Sequence, residues 1–184
     1  MTLEGLTMPE PRPTQLDRAT SAVLALDLTA RCNDPKEICH ELMERLGAFL
    51  ERVRGARVPV VFTASLQTKG TPEGAIASAL KQRADEAVLH PDAFDKFYGG
   101  ELQACLTAHN VKDLVVTGSA TNVAVMYTAT AAARVFRYNV IIPLDGVNSR
   151  NPIEHDYAIH QLTAVPAQAS RLITFSTLGQ ITFK

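Results

Sequence analysis

Tryptophan is absent, cysteine occurs only three times, and the charges nearly cancel: 18 Lys and Arg stand against 19 Asp and Glu in 184 residues. With a formal charge of −1 and no cluster of Lys or Arg, neither a nucleic acid nor an anionic membrane surface is expected as a partner. No apolar run approaches the ~20 residues that a membrane-spanning helix needs. Cys32, Cys39 and Cys105 are odd in number and lack C-x-x-C spacing, so reduced thiols and a cytoplasmic location are expected. The opening "MTLEGLTMPEPRPTQLDR" has no apolar core with a cleavage site. With Pro9, Pro11 and Pro13 it reads as an extended arm over residues 1–18.

What the chain does contain is an alternation of apolar runs and helical stripes. "SAVLALDL" (21–28) is apolar throughout until Asp27, as expected for a strand buried on both faces. Ile38, Leu42, Leu46, Phe49 and Val53 recur at helical spacing, and Gly55 closes that helix. "VPVVFTAS" (58–65) is a second strand, and "EGAIASALKQRADE" reads as a short helix or part of a lid. "AVLH" (87–90) is a third strand, followed by the loop "PDAFDKFYGG" and a helix from Glu101 to about Asn110. "KDLVVTG", a helix from Thr121 to about Phe136, "YNVIIPLDG", a helix on "PIEHDYAIHQLTAV" and "RLITFS" complete the order.

Strands that alternate with helices in this way imply right-handed crossovers and one domain. The expected fold is a three-layer, Rossmann-like α/β fold. Its six-stranded, mostly parallel sheet runs in the order 3-2-1-4-5-6, with helices on both faces. Ligands of such sheets bind beyond the carboxyl ends of the strands, where the order reverses. Here that point lies between the strands ending at Asp27 and Gly118.

Asp27 has two readings from position alone: a turn-capping carboxylate, or a general acid or base in the crevice. Lys96, in "FDKFYGG", is a solvated surface lysine unless it meets Asp27, in which case its ammonium could steady a developing negative charge. The turn after Gly118 presents the free N–H groups of a helix start. Cys105 falls on a core stripe with Leu102 and Leu106, Cys39 is similar, and Cys32 reads as an inert thiol near the crevice. His155 and His160 lie five apart on a helix and do not share a face, so they carry little weight. No metal site and no cofactor are expected.

Taken in order, these residues resemble the isochorismatase-like hydrolases, or cysteine hydrolase superfamily. That family has an Asp ending strand one, a Lys after strand three, and a helix-opening G-x-x-T-x-x-C-V-x-x-T-A after strand four. The chain supplies Asp27, Lys96 and "GSATNVAVMYTA", in which Gly118, Thr121, Val125, Thr128 and Ala129 match and Ala124 stands at the nucleophile's position. "VIIPLDG" resembles the family's V-x-V-x-x-D-[AG] segment. The resemblance further implies a cis peptide between Ser119 and Ala120 at an oxyanion site, a small-molecule substrate, and a homodimer or homotetramer.

Two departures stand beside the match. Thr29 replaces a Gln, and the metal-binding Asp-x-His segment of some amidase members is missing. Without sulfur at position 124 there is no thiolate and no covalent acyl-enzyme. Three readings stay open: a hydrolase that acts without cysteine, with Asp27 as general acid/base beside Lys96; a thiol amidase in which alanine was substituted for a native cysteine; or a non-catalytic binding or assembly member.

Overall fold

The computed structural model describes residue 6 and residues 8–184; residues 1–5 and 7, part of the expected arm, lie outside the described residues. The central sheet is built on β2 (Ser21–Leu26), every residue of which is buried. With β3 (Val60–Thr63), β4 (Ala87–Leu89), β5 (Asp113–Ser119), β6 (Asn139–Pro143) and β8 (Ile173–Ser176) it forms the path β4-β3-β2-β5-β6-β8, parallel at every step. The expected count of six needs correction. A seventh strand, the two-residue β7 (Val147–Asn148), pairs with the end of β5 off this path. Two residues are too short a run to carry a hydrophobic period.

Alternate residues of a strand point to opposite faces, and the core divides accordingly. Leu24, Leu26, Leu114, Val116, Val140 and Ile142 lie in one cluster. The helices α2 (Glu101–Ala108), α3 (Met126–Arg134) and α4 (Pro152–Thr163) bring Leu106, Ala129 and Ile159 to it. Val23, Ala25, Val115 and Ile141 belong to the other cluster, with Leu46, Phe49 and Val53 of α1 (Met43–Gly55). Leu102 and Leu106 are buried as their spacing predicts; Cys105 between them is half-buried, and burial pushes its thiol pKa up.

The arm is tied down where it is described. β1 (Thr14–Leu16) pairs in parallel with β9 (Ile181–Phe183), a C-terminal strand with no counterpart in the sequence reading. Phe183 meets Phe49 at 6.5 Å, so this small ladder packs on the α1 side.

Two further expectations are corrected. Cys32 and Cys39 are joined by a disulfide rather than standing as reduced thiols, and the argument from cysteine usage to a reducing compartment falls with it. The reason is local. Two 3-10 turns, Ala30–Asn33 and Ile38–Leu42, fold the segment back until the two Cα atoms lie 5.2 Å apart. The expected helix or lid after Thr71 is instead two short 3-10 turns, Pro72–Gly74 and Ser78–Leu80. Ile76 between them bridges to Thr29, and Asn33 accepts from the amide and hydroxyl of Ser78, both at 3.0 Å. Among the described residues no helix is long and apolar enough to cross a membrane.

Candidate functional site

The register sets the site. Leu26 pairs with Thr63 on one side and with Gly118 on the other, so the next residue, Asp27, leaves the sheet between the ends of β3 and β5. Gly118 has φ +139°, and a Cβ there would fall on the Leu26 carbonyl oxygen, so the close approach requires glycine. Asp27 has φ 56°, a left-handed conformation that Asp and Asn adopt more readily than other side-chain-bearing residues.

Its amide donates to the Thr63 carbonyl at 3.1 Å, and the Thr63 hydroxyl donates to Asp27 Oδ1 at 2.9 Å. The other carboxylate oxygen, Oδ2, lies 2.8 Å from Lys96 Nζ. Lys96 also donates from Nζ to the Ala93 carbonyl at 3.2 Å, and its backbone N–H donates to the Thr128 hydroxyl of α3 at 3.1 Å. The two partners differ in exposure: the lysine side chain is 4% exposed and the aspartate 25%. The ammonium therefore has little contact with solvent, while one edge of the carboxylate remains open. Next to it, burial pushes the Asp95 carboxyl pKa up, with the Phe97 amide and the Lys96 charge pulling the other way.

The open edge of Asp27 faces a crevice of about 410 Å³. Ser65 and Gln67 line it after β3, and Pro91, Asp92, Ala93, Phe94 and Lys96 after β4. A charged pair at the base of such a crevice can take a proton from water, return it to a leaving group and hold developing charge.

On the β5 side, Ser119 is buried, the Ser119–Ala120 peptide is cis, and residues 121–125 form a π-helical turn that opens α3. Ala124 lies within this turn, 2% exposed, and does not line the crevice. The turn is clamped from outside. The Asn122 amide donates to Ser149 Oγ at 3.3 Å, and that hydroxyl donates to Asn122 Oδ1 at 2.8 Å. Asn122 Nδ2 reaches Glu154 at 2.9 Å, and Thr121 Oγ1 lies 2.9 Å from His155 Nδ1. Among the described residues no group of three His, Cys, Asp or Glu could hold a metal ion.

The isochorismatase domain model matches residues 21–174. The chain belongs to the isochorismatase family. A cysteine hydrolase from Pseudomonas syringae pv. phaseolicola 1448A superposes with a TM-score of 0.77 at 17% identity, over 94% of this chain and 96% of that one. An isochorismatase family protein from Burkholderia thailandensis gives a TM-score of 0.74 at 24% identity, covering 92% and 96%. N-carbamoylsarcosine amidase from Thermoplasma acidophilum gives 0.69 at 21%, covering 86% and 96%. Identities this low establish a shared fold and no more. No curated protein matches the chain.

Within this isochorismatase-family chain, sequence reasoning passed over several residues that touch the site. Thr63 reads as one more β-branched strand residue, yet its hydroxyl is buried and orients Asp27. His155, set aside as uninformative, is half-buried against Thr121, and desolvation lowers its pKa from 6.5, partly opposed by the charge of Asp156. Ser149 and Glu154 meet the turn only through tertiary folding, and no local pattern marks them.

Proposed function

We propose that the chain is an isochorismatase-like hydrolase of a small molecule that acts without a cysteine nucleophile, with Asp27 as general acid/base and Lys96 as its partner. The observation that carries this reading is the 2.8 Å ion pair at the base of the crevice, with Asp27 open to it on one edge. Ala124, taken as the occupant of the family's nucleophile position, has no lone pair to offer, so water must supply the attacking oxygen.

On an amide or ester, Asp27 takes a proton from water as its oxygen bonds to the carbonyl carbon. The C–N or C–O bond then breaks as Asp27 returns the proton to the leaving atom, so that the sum is one water consumed. On a vinyl ether a protonated Asp27 gives its proton to the vinyl carbon. Water adds to the resulting oxocarbenium and returns a proton to Asp27, and the C–O bond to the leaving alcohol then breaks to leave a carbonyl and an alcohol, again with one water consumed. Throughout, Lys96 balances the negative charge on or beside Asp27. The name of the amidase among the structural neighbours makes C–N bonds the first class to try.

The test is a hydrolysis screen of amides, esters and vinyl ethers with the purified chain, repeated with Asp27→Asn. Loss of at least about 100-fold in turnover is expected, the usual range for removing a general acid or base. Thiol alkylation should leave activity untouched. An empty screen, or Asp27→Asn turning over as well as its parent, would reject the reading in favour of a non-catalytic member. A native coding sequence with cysteine at position 124 would reject it in favour of a thiol amidase.

A further inference from the structure

We infer that the crevice selects ligands that carry no negative charge and present N–H donors, with a planar cation such as an amidinium as its best match. This deepens the proposed function, since it rests on placing the reacting group in this crevice.

The lining holds the carboxylates of Asp27 and Asp92 and one cationic side chain, Lys96. Lys96 is already committed, to Asp27 at 2.8 Å and to the Ala93 carbonyl at 3.2 Å. The pair is close to neutral, which leaves Asp92 as the uncompensated charge. An incoming carboxylate or phosphate would find no free cation among the described lining residues and would approach a like charge.

Acceptors, by contrast, are in surplus. Each carboxylate oxygen has about two lone-pair sites. Asp27 Oδ1 uses one on Thr63 and Oδ2 uses one on Lys96, so each oxygen keeps one for a donor arriving from the open side. Asp92 is exposed and accepts no hydrogen bond from another described residue. The aromatic contact is Phe94, 65% exposed and stacked on Tyr127 with ring centroids 6.1 Å apart. A cation or its aromatic substituent can lie against that ring.

Benzamidinium, benzamide and benzoate share one shape and carry +1, 0 and −1, so binding across the three isolates charge. By calorimetry at low salt, benzamidinium should bind tightest and benzoate weakest, about tenfold or more apart, and salt should narrow the gap. Asp92→Asn, an exposed change that the fold tolerates, should weaken benzamidinium about three- to tenfold and leave benzamide nearly unchanged. Three results would overturn the inference: benzoate binding as tightly as benzamidinium, no binding of benzamidinium at millimolar concentration, or equal affinity of the Asp92→Asn variant for benzamidinium. Turnover plays no part in this measurement. Ordered binding with an empty hydrolysis screen would reject the hydrolase reading alone. Asp27-dependent hydrolysis of anionic substrates would reject the charge inference alone.

Discussion

Breaking the Asp27–Lys96 pair from its two ends should have unequal costs, and the inequality follows from exposure. Asp27→Asn leaves an ammonium that is 4% exposed with the Ala93 carbonyl as its remaining protein acceptor besides the new amide oxygen. Removing one member of a buried pair costs ~3–5 kcal/mol, and the partial exposure of this pair argues for the lower end, about 3 kcal/mol. Lys96→Met keeps the aliphatic stem and leaves a carboxylate that is 25% exposed and still holds the Thr63 hydroxyl. That change should cost about 2 kcal/mol, because water can reach the orphaned charge.

The double variant has no charge to strand. Its cost should be close to the smaller of the two, giving a coupling energy of about 3 kcal/mol. Asn is the right replacement because it tolerates the left-handed φ of 56°; alanine would add about 1 kcal/mol of backbone strain and blur the cycle. Urea unfolding followed by circular dichroism, with equal m-values across the four proteins, reads all three numbers. In a chain of this size the Asp27→Asn change should lower Tm by about 6–12 °C. Lys96→Met costing more than Asp27→Asn, or a coupling below about 0.5 kcal/mol, would refute the reasoning.

Gly118→Ala should destabilise by at least about 3 kcal/mol in the same assay, since φ is +139° and the new methyl falls on backbone rather than on a side chain that can move. His155 is held below its ordinary 6.5 by burial, so from about pH 6.5 downward the unfolded chain binds a proton that the folded one refuses. Stability should therefore fall as pH drops through that window, with no such contribution above it. His155→Gln should flatten the fall in pH-dependent urea melts; an unchanged slope would count against the buried neutral ring. Cys32→Ser with Cys39→Ser should cost about 2.5 kcal/mol by the loop-entropy relation for a sequence separation of 7, read as the loss of any effect of a reductant on Tm.

The strands are legible because each is an apolar run of useful length, and β2 is buried at every residue, as "SAVLAL" demands. What escapes sequence reading is short or long-range. β7 has two residues and β1 and β9 have three each, too few for a period to register; the equally short β4 is legible only as the apolar run "AVL". The 3-10 turns between Thr71 and Leu80 look helical in composition, but Ala77 and Leu80 are buried by tertiary contacts while Asn33 and Thr29 take the polar groups a helix would have satisfied internally. Cys32 and Cys39 lie seven apart with no pairing motif, and only the back-folding of two turns brings them together. At the site, Asp27 and Lys96 can be named from residue type and family resemblance. Their meeting is expected from the same resemblance and is found at 2.8 Å; what escapes is how the loop after β4 is held by Thr128 of α3.

That hold on the loop bears on why the pair exists at all. Fold stability gives no reason for it: replacing a buried ion pair by apolar groups of similar volume is often neutral or stabilising by ~1–4 kcal/mol. Here the cost is increased by the left-handed backbone at Asp27. That conformation is not needed for β2 to pair, since its register with β3 and β5 is complete at Leu26, one residue earlier. The surrounding contacts, moreover, act on orientation as well as on charge. Thr63 fixes one carboxylate oxygen, Lys96 the other, and Ala93 holds the ammonium at the angle that leaves the carboxylate's free edge to the crevice. A carboxylate whose two oxygens are each held by a separate donor, and whose remaining acceptor sites face open space, is positioned for a ligand's or a water's proton. Thr63→Val separates orientation from charge: it removes one donor, keeps the ion pair and preserves volume. Under the proposed reaction it should lower kcat about tenfold with little change in KM, since the misaimed carboxylate fails in the transition state rather than in binding. A tenfold rise in KM at constant kcat would assign Thr63 to ligand binding instead, and would remove orientation of Asp27 from the mechanism.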